Sequence, residues 1–246
     1  MPVRISAVSY LNTYPFVYGL QASGLLTGFG LDLAVPSECA RKLSAGEADL
    51  ALVPAGALPG IGKYHYTSDF CIGAVGPVLT VVLFSKVPLN QITEISLDPD
   101  SRTSVELVKI LAKHHWNIRP AWNGLAPGEL AAGRMPESVV AIGDKTFALG
   151  EHYPYRYDMA EAWMEMTGLP FVFAVWISKK ELPATFLAGF NAALGYGVSR
   201  IDECIRYFSD SLPPCGDCLR YLRDNISYPF DDAKKQGLKK FLEYLG

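Results

Sequence analysis

The chain has 246 residues, half of them hydrophobic and 19% charged, so it is long enough to bury a core and too apolar for a disordered protein. A formal net charge of -3 and a pI near 5.8 argue against nucleic acid as the main partner, but local cations and helix ends can still bind a small anion. The first ten residues lack the apolar core of a signal peptide, and the most apolar later stretches are too short or too interrupted to span a bilayer. We therefore expect a cytoplasmic protein with no membrane partner.

The first third of the chain alternates strands and helices. Strands are predicted at 3–8, 31–35 and 49–53, with a helix at 38–45 that Gly46 ends. After the first strand, Pro15 suits the first turn of another helix, and Asn12 or Thr13 can cap it. The alternation predicts a parallel sheet, with a ligand beyond the carboxyl ends of its strands.

A second strand-to-helix junction lies in the middle of the chain. A strand at 95–97 runs into an Asp-Pro-Asp turn, and Ser101 stands at a helix N-cap position. The hydroxyls of Ser101, Thr103 and Ser104 and the guanidinium of Arg102 then lie at the positive end of a helix dipole. That arrangement suits a carboxylate or a phosphate. The alternative is an ordinary capped helix with Arg102 in solvent.

The remaining pattern predicts two lobes without a linker. Further strands are predicted at 72–75, 78–85, 138–144 and 171–178, a helix at 158–167, and mostly helix from residue 182 onward. Two long central strands fit two α/β lobes joined by crossing segments. We expect residues 1–84 and 173–246 in lobe 1, residues 85–172 in lobe 2, and a ligand cleft between them.

Cysteines and histidines give no strong functional signal. Five cysteines, an odd number, favour reduced thiols over a disulfide framework. Cys215 and Cys218 form a C-x-x-C, but no matching second pair lies nearby, and the context favours incidental cysteines at a helix start over a redox or zinc site. The histidines lack metal-ligand spacing. Trp163 and Trp176 are predicted core residues.

Several motifs, in chain order, carry a resemblance to a known family. They are Ser9-Tyr10-Leu11-Asn12-Thr13-Tyr14-Pro15, Gly76-Pro77-Val78-Leu79-Thr80, Ser101-Arg102-Thr103-Ser104-Val105, Ile142-Gly143-Asp144, and Trp163 with the run from Thr167 to Trp176. Their combination, over roughly residues 3–178, resembles the chorismate dehydratases of the futalosine route to menaquinone, also called menaquinone biosynthetic enzyme A. No single motif among them is specific.

The resemblance implies an α/β fold of the type II periplasmic-binding-protein class, with two α/β lobes around a cleft. It implies a cytoplasmic lyase that uses no metal and no organic cofactor and takes a small-molecule dicarboxylate. The reaction implied is loss of water from chorismate to give 3-[(1-carboxyvinyl)oxy]benzoate. This chain departs from the family in having Thr80 and Ala55 where Ser is common, and Ala55 can offer only its backbone N–H.

The matched motifs supply the predicted site. Asn12 and Thr80 are the predicted catalytic residues. The predicted substrate-binding residues are Ser9, Tyr10, Thr13, Ala55, Ser101, Arg102, Thr103, Ser104, Gly143 and Asp144. Tyr10 or Phe171 is expected to wall the substrate ring, and Gly143 is expected to allow a close turn or to serve as a simple turn glycine.

The motifs contain no His, and Asp144 is their only carboxylate, although a general base near neutral pH is usually His or a carboxylate of raised pKa. We therefore hypothesise that the enolpyruvyl-arm carboxylate of the substrate removes the ring proton. Asn12 would hold the leaving hydroxyl or the arm, and Thr80 would position the same region. Asp144 is the rival base, or a turn aspartate that bonds its own backbone.

Two other functions stay open at this point. The related 1,4-dihydroxy-6-naphthoate synthase shares a similar fold, but the Ser-Arg-Thr-Ser run and the Ser-Tyr-Leu-Asn start favour the dehydratase. A non-enzymatic small-anion-binding protein of the same fold is the alternative from a different class. Turnover, as opposed to saturable binding alone, separates these classes.

Overall fold

The computed structural model describes residues 2–100, 102–130 and 132–246. Its strands are β1 (Val3–Val8), β2 (Phe29–Ala34), β3 (Leu50–Pro54), β4 (His65–Ala74), β5 (Val81–Ser85), β6 (Glu94–Leu97), β7 (Ala121–Gly124), β8 (Ser138–Ile142), β9 (Tyr155–Asp158), β10 (Phe171–Ser178) and β11 (Ser227–Pro229). Its helices are α1 (Tyr14–Ala22), α2 (Pro36–Ser44), α3 (Arg102–His114), α4 (Lys145–Leu149), α5 (Met159–Thr167), α6 (Ala184–Val198), α7 (Ile201–Tyr207), α8 (Cys218–Arg220) and α9 (Asp232–Tyr244).

The strands form two sheets, one in each lobe. The first has the order β11-β4-β10-β3-β1-β2, and the second has the order β7-β6-β8-β5-β9. The predicted parallel pairing holds for β1 with β2 and β3, and also for β6 with β7 and β8. Both sheets are nevertheless mixed, because β10 runs antiparallel to β3 and β4, and β5 runs antiparallel to β8 and β9.

The chain passes between the two lobes twice. Residues 75–80 lead from β4 in the first sheet to β5 in the second, and residues 168–170 lead from α5 back to β10. The predicted lobe boundary after residue 84 differs from this pairing, since β5 belongs entirely to the second sheet. Its continuous apolar sequence suits either lobe, so only its partners β8 and β9 decide where it belongs.

The elements with a clear apolar pattern lie where the sequence predicts them. The bounds of β1 and β10 match the prediction, and α5 begins after Asp158, whose carboxylate caps it, and ends at Gly168 with φ 71°. The sequence reading missed β7, β9 and β11, which are sheet-edge strands of three or four residues. A strand at the edge of a sheet does not have to be buried on both of its faces. Its sequence therefore shows little hydrophobic periodicity.

The core contains many aromatic residues around β10. Trp163 and Trp176 are both buried there, as predicted. Trp176 meets Phe16 and Phe190 edge-on at centroid distances of 5.9 and 5.1 Å, and Trp163 meets Phe171 at 5.3 Å. Such edge-to-face pairs hold the strands and helices in a fixed relation beyond simple burial.

The expectation that all cysteines are reduced is wrong for one pair. Cys215 and Cys218 are joined by a disulfide, with their Cα atoms 5.4 Å apart, within the usual range for such a bond. The prediction weighed the odd number of cysteines and the compartment, whereas the tight turn before α8 brings these two thiols together. Cys39, Cys71 and Cys204 are free and buried.

Within the described parts of the chain, every helix is too short or too polar to cross a membrane.

Candidate functional site

A small cavity lies between the two lobes, at the carboxyl ends of β1 and β3. It holds about 50 Å³. Its lining consists of Val8, Tyr10, Asn12, Thr13, Pro36, Pro54, Ile72, Val78, Thr80, Val81, Thr103, Ser104, Ile142, Gly143, Phe173 and Ala174. Its position agrees with the predicted ligand site beyond the strand ends.

The first strand-to-helix junction contributes an amide and a hydroxyl. After β1, a 3-10 helix at Leu11–Thr13 leads directly into α1, and Asn12 and Thr13 both line the cavity. The Thr13 hydroxyl donates to Asn12 Oδ1 at 3.1 Å, which fixes how the Asn12 amide is turned. Ser9 is exposed and lies outside the lining, so the structure does not bring this predicted binding residue to the cavity.

The second junction contributes two buried hydroxyls. Thr103 and Ser104, in the first turn of α3, are buried and line the cavity. The Gly56 N–H donates to Thr103 Oγ1 at 3.0 Å, and this hydroxyl donates to the Phe173 carbonyl at 3.3 Å. Ala55 is buried beside Gly56 but does not line the cavity. Ser101, predicted as the N-cap, lies outside the described residues.

Arg102 lies away from this cavity. Its side chain is exposed and lines a separate surface pocket with Pro59, Glu106 and Leu245. The cavity lining contributed by the described residues is uncharged. An anion held there would therefore depend on hydroxyls, amides and the N-terminal turn of α3, as neutral donors and a helix dipole permit.

The C-terminal part of the molecule contacts a cavity residue through Tyr221, which the sequence motifs did not indicate. Tyr221 is buried, and its hydroxyl lies 2.7 Å from Thr80 Oγ1. Burial raises the pKa of Tyr221, while hydrogen bonding to Thr80 and Asn12 lowers it in part. The helical sequence around Tyr221 carries no local mark of this contact. The one sequence feature that marks this stretch is the C-x-x-C motif directly before it.

The first crossing segment, residues 75–80, is held from both sides. The carboxylate of Asp158 accepts the backbone N–H groups of Val78 and Leu79 at 2.9 and 2.7 Å. Leu79 has φ 65°, a conformation unfavourable for a branched side chain, so these two bonds help to keep it there. Asn225 donates to the Pro77 carbonyl at 2.9 Å from the opposite side.

Asp144 bridges the lobes next to the cavity. Both of its carboxylate oxygens lie 3.2 Å from the Leu11 N–H, at the start of the first junction. Burial raises the pKa of Asp144 to about 6, and the Leu11 N–H opposes this shift. Asp144 does not line the cavity itself, but it lines a neighbouring pocket of about 270 Å³ that Tyr10 also borders.

Tyr10 stands between the cavity and that neighbouring pocket. Its ring lies against Gly143, which has φ 71°, and a Cβ added to Gly143 would stand 2.9 Å from the ring. The predicted close turn at Gly143 is therefore present. Phe171, the other predicted ring wall, is buried in the core, and Phe173 lines the cavity instead. The two residues are two positions apart on β10 and share a face, with ring centroids 4.7 Å apart, so Phe173 lies between Phe171 and the cavity.

A compact ion-pair group lies on the far side of Tyr10. Lys145 Nζ contacts Asp98 at 2.5 Å and Asp100 at 2.8 Å. Burial raises the pKa of Asp98, and Lys145 opposes this shift. These charges pair within the second lobe, so they stabilise the turn that carries α3. In the described ranges, no group of three or more His, Cys, Asp or Glu side chains is placed to hold a metal ion.

This chain has two α/β lobes, and their strand ends and helix N-termini meet at a cleft. That arrangement defines the periplasmic-binding-protein fold. A Candida albicans protein described as having that generic fold superposes with a TM-score of 0.68 at 13% identity, covering 99% of this chain and 89% of its own. An alkanesulfonate-binding protein from Xanthomonas axonopodis, solved with MOPS, gives a TM-score of 0.66 at 15% identity, covering 98% and 90%. These similarities confirm the predicted fold.

The chain belongs to the family described as menaquinone biosynthesis, which matches residues 3–246. The chorismate dehydratase of Thermus thermophilus is 29% identical over 273 residues, covering 100% of this chain and 96% of the relative. The chorismate dehydratase of Campylobacter jejuni is 27% identical over 246 residues, covering 96% and 94%. The resemblance carried by the sequence motifs is thereby confirmed, and it extends to the C-terminal helices.

Proposed function

We propose that this protein is a chorismate dehydratase, a carbon–oxygen lyase that converts chorismate to 3-[(1-carboxyvinyl)oxy]benzoate in the futalosine route to menaquinone. The observation that carries the proposal is that Asn12 and Thr80 lie in one uncharged cavity beside the first turn of α3. The names of the two bacterial relatives support the choice of substrate. The cytoplasmic location stays a prediction from the sequence.

The cavity offers neutral groups for a dianionic substrate. Chorismate carries one carboxylate on its ring and one on its enolpyruvyl arm. The backbone N–H groups in the first turn of α3, where Thr103 and Ser104 line the cavity, suit the ring carboxylate. Charge that spreads into this carboxylate as the ring proton leaves is stabilised by the same donors, because they are already oriented.

The substrate's own arm carboxylate is the proposed base. It takes the proton from the ring carbon that bears the ether, the C–H electrons form the new ring double bond, and hydroxide leaves the neighbouring carbon. Asp144 is less suited to this step, because both of its oxygens face the Leu11 N–H and it lies outside the cavity lining. Asn12 holds the leaving hydroxyl, and Thr80 positions the same region.

The test is to mix the purified protein with chorismate, without added metal, and to follow the products by mass spectrometry. Loss of one water with formation of the enolpyruvyl benzoate supports the proposal. Saturable binding without conversion would instead indicate a small-anion-binding protein. If chorismate neither binds nor reacts, the substrate is wrong, and the related naphthoate synthase becomes the next activity to assay.

Three variants test which side chains take part in the reaction. Asn12→Ala and Thr80→Val are each expected to lower kcat by about 100-fold or more, as removal of an oriented donor does elsewhere. Thr67→Val is the matched control, because Thr67 is also a buried threonine, while its hydroxyl has no hydrogen-bond partner within the described residues. Full activity in Asn12→Ala would contradict the proposed scheme.

A further inference from the structure

We infer that Tyr221 is a positioning residue, which sets the orientation of the Thr80 hydroxyl in the cavity. The inference rests on the proposed function, since Thr80 is one of its two catalytic residues. The C-terminal segment, which contains none of the recognisable motifs, then takes part in the reaction. Tyr221 itself does not line the cavity, so it acts through Thr80.

The hydrogen bonding around Thr80 gives Tyr221 this role. Its hydroxyl lies 2.7 Å from Thr80 Oγ1, whereas the other contact of Thr80, to the Val78 carbonyl, is 3.5 Å long. A bond of 3.5 Å is weak, so it holds the Thr80 proton poorly. With Tyr221 as the proposed donor of this bond, the threonine proton is left to point at a substrate oxygen.

Tyr221 is also held more firmly than a typical surface-helix residue. It begins a π-helical turn, Tyr221–Asn225, and such turns often occur at functional sites. The turn follows the Cys215–Cys218 bond. At its other end, Asn225 donates to the Pro77 carbonyl in the segment that carries Thr80.

The Tyr221 ring contacts the second lobe as well. Phe147 in α4 packs edge-on against it at a centroid distance of 5.3 Å. The residue therefore touches the second lobe through its ring and the crossing segment through its hydroxyl. A substitution that keeps the ring and removes only the hydroxyl separates these two contributions.

The test compares Tyr221→Phe with Tyr228→Phe. Both tyrosines are buried, but the Tyr228 hydroxyl has no hydrogen-bond partner within the described chain. We expect Tyr221→Phe to lower kcat by about 10- to 100-fold with little change in KM, because misplaced catalytic groups affect the reaction step. Tyr228→Phe should keep the wild-type kcat and KM.

A double-mutant cycle distinguishes positioning from a general structural role. If Tyr221 acts through Thr80, then Tyr221→Phe should cost much less in the Thr80→Val background than in the wild type, because residues that act together are not additive. Equal losses in both backgrounds, or equal kcat for Tyr221→Phe and wild type, would overturn the inference.

Failure of the proposed function gives a different result. A wild-type protein that leaves chorismate unchanged contradicts the dehydratase assignment, and the role of Tyr221 is then judged on crystal structures of wild type and Tyr221→Phe. The expected result is a changed Thr80 side-chain torsion in the variant. An unchanged torsion at Thr80 would overturn the inference.

Discussion

Asp144 links the two lobes while its carboxyl group is largely withdrawn from water. Burial raises its pKa from 3.8 to about 6, and the Leu11 N–H offsets only part of this shift. Between pH 3.8 and about pH 6, the Asp144 carboxyl group is protonated more often in the folded state than in the unfolded state. Asp144 therefore makes the protein less stable as the pH rises from about 4 to about 6, and its effect is constant at higher pH.

Replacing Asp144 with Asn should remove this dependence. The expected result is that, from pH 4 to pH 7, wild type loses about 2 kcal/mol of unfolding free energy relative to the variant, allowing for partial solvent exposure. Urea denaturation at several pH values measures the difference. Asp98 and Asp158 also have raised pKa values. Both residues are present in wild type and in the variant, so their contributions to the pH dependence cancel in the comparison. Parallel pH profiles for the two proteins would contradict the prediction.

The same variant tests the rival base. Since both Asp144 oxygens are turned toward Leu11, Asp144→Asn should keep turnover within about tenfold of wild type, whereas loss of a true general base costs about 100-fold or more. The assay is the conversion of chorismate followed by mass. A loss of several orders of magnitude would make Asp144 the base and remove the need for the substrate carboxylate.

Gly143 is required for two separate reasons. Its φ of 71° disfavours any side chain, and an added Cβ would stand 2.9 Å from the Tyr10 ring. Gly143→Ala should cost about 1–3 kcal/mol from the backbone and lower the activity by displacing Tyr10. Gly62→Ala is the matched control, because Gly62 has φ 77° and nothing within 4 Å of the added Cβ. Thermal unfolding and turnover of both variants separate strain from displacement.

Among the elements, α1 and α6 pack closely because each carries glycine at their contact. A Cβ on Gly19 would lie 1.9 Å from the Ala193 carbonyl oxygen, and one on Gly197 would lie 1.8 Å from the Pro15 carbonyl oxygen. No side chain fits at such distances without moving backbone. Since Pro15 lies directly after the Asn12 junction, this helix contact also determines where the predicted catalytic amide stands.

Substitutions within α6 test this packing. Gly197→Ala should destabilise the protein by about 2 kcal/mol or more, because overpacking outweighs the gain of about 1 kcal/mol in helix propensity. Gly195→Ala is the control in the same helix, since its added Cβ meets only the tip of the Phe70 ring, at 3.3 Å. Guanidinium unfolding of both variants gives the comparison. Equal stability of the two variants would contradict the packing argument.

The elements also divide into those that local sequence can predict and those that it cannot. β1, β10 and α5 were predictable because apolar spacing, an aspartate cap and a terminal glycine are all local signals. The edge strands β7, β9 and β11 depend on neighbours that lie far away in sequence. At the site, Asn12, Thr80 and Thr103 lie in recognisable motifs, whereas Tyr221 is set by a helix packing onto a crossing segment that is 141 residues distant.

On the scale of the whole molecule, the cavity between the lobes is narrow for the proposed substrate. It measures about 50 Å³, whereas chorismate is a substituted six-membered ring with two acidic groups. We therefore expect the lobes to separate when substrate enters. The segments at 75–80 and 168–170 are the places where a hinge can act, since they are the chain's crossings between the sheets.

Amide exchange at Leu11 should report this opening. Its N–H is bonded to Asp144 across the cleft, so separation of the lobes exposes it without unfolding either lobe. We expect it to exchange faster than the amide of Val175 in the central strand β10 and to slow when chorismate binds to the Asn12→Ala variant. Hydrogen exchange followed by NMR resolves both amides. Equal exchange at both sites, unaffected by chorismate, would indicate lobes that do not separate.

The contact between Tyr221 and Thr80 also has a consequence for protein synthesis. A ribosome completes Asn12, Thr80 and Thr103 long before it reaches the segment at 221–225, which binds the crossing segment through Thr80 and Pro77. A nascent chain that stops before this segment carries the recognisable motifs but lacks the tyrosine that contacts Thr80. If the proposed function holds, the newly made protein acquires its full activity only after most of its length has left the ribosome.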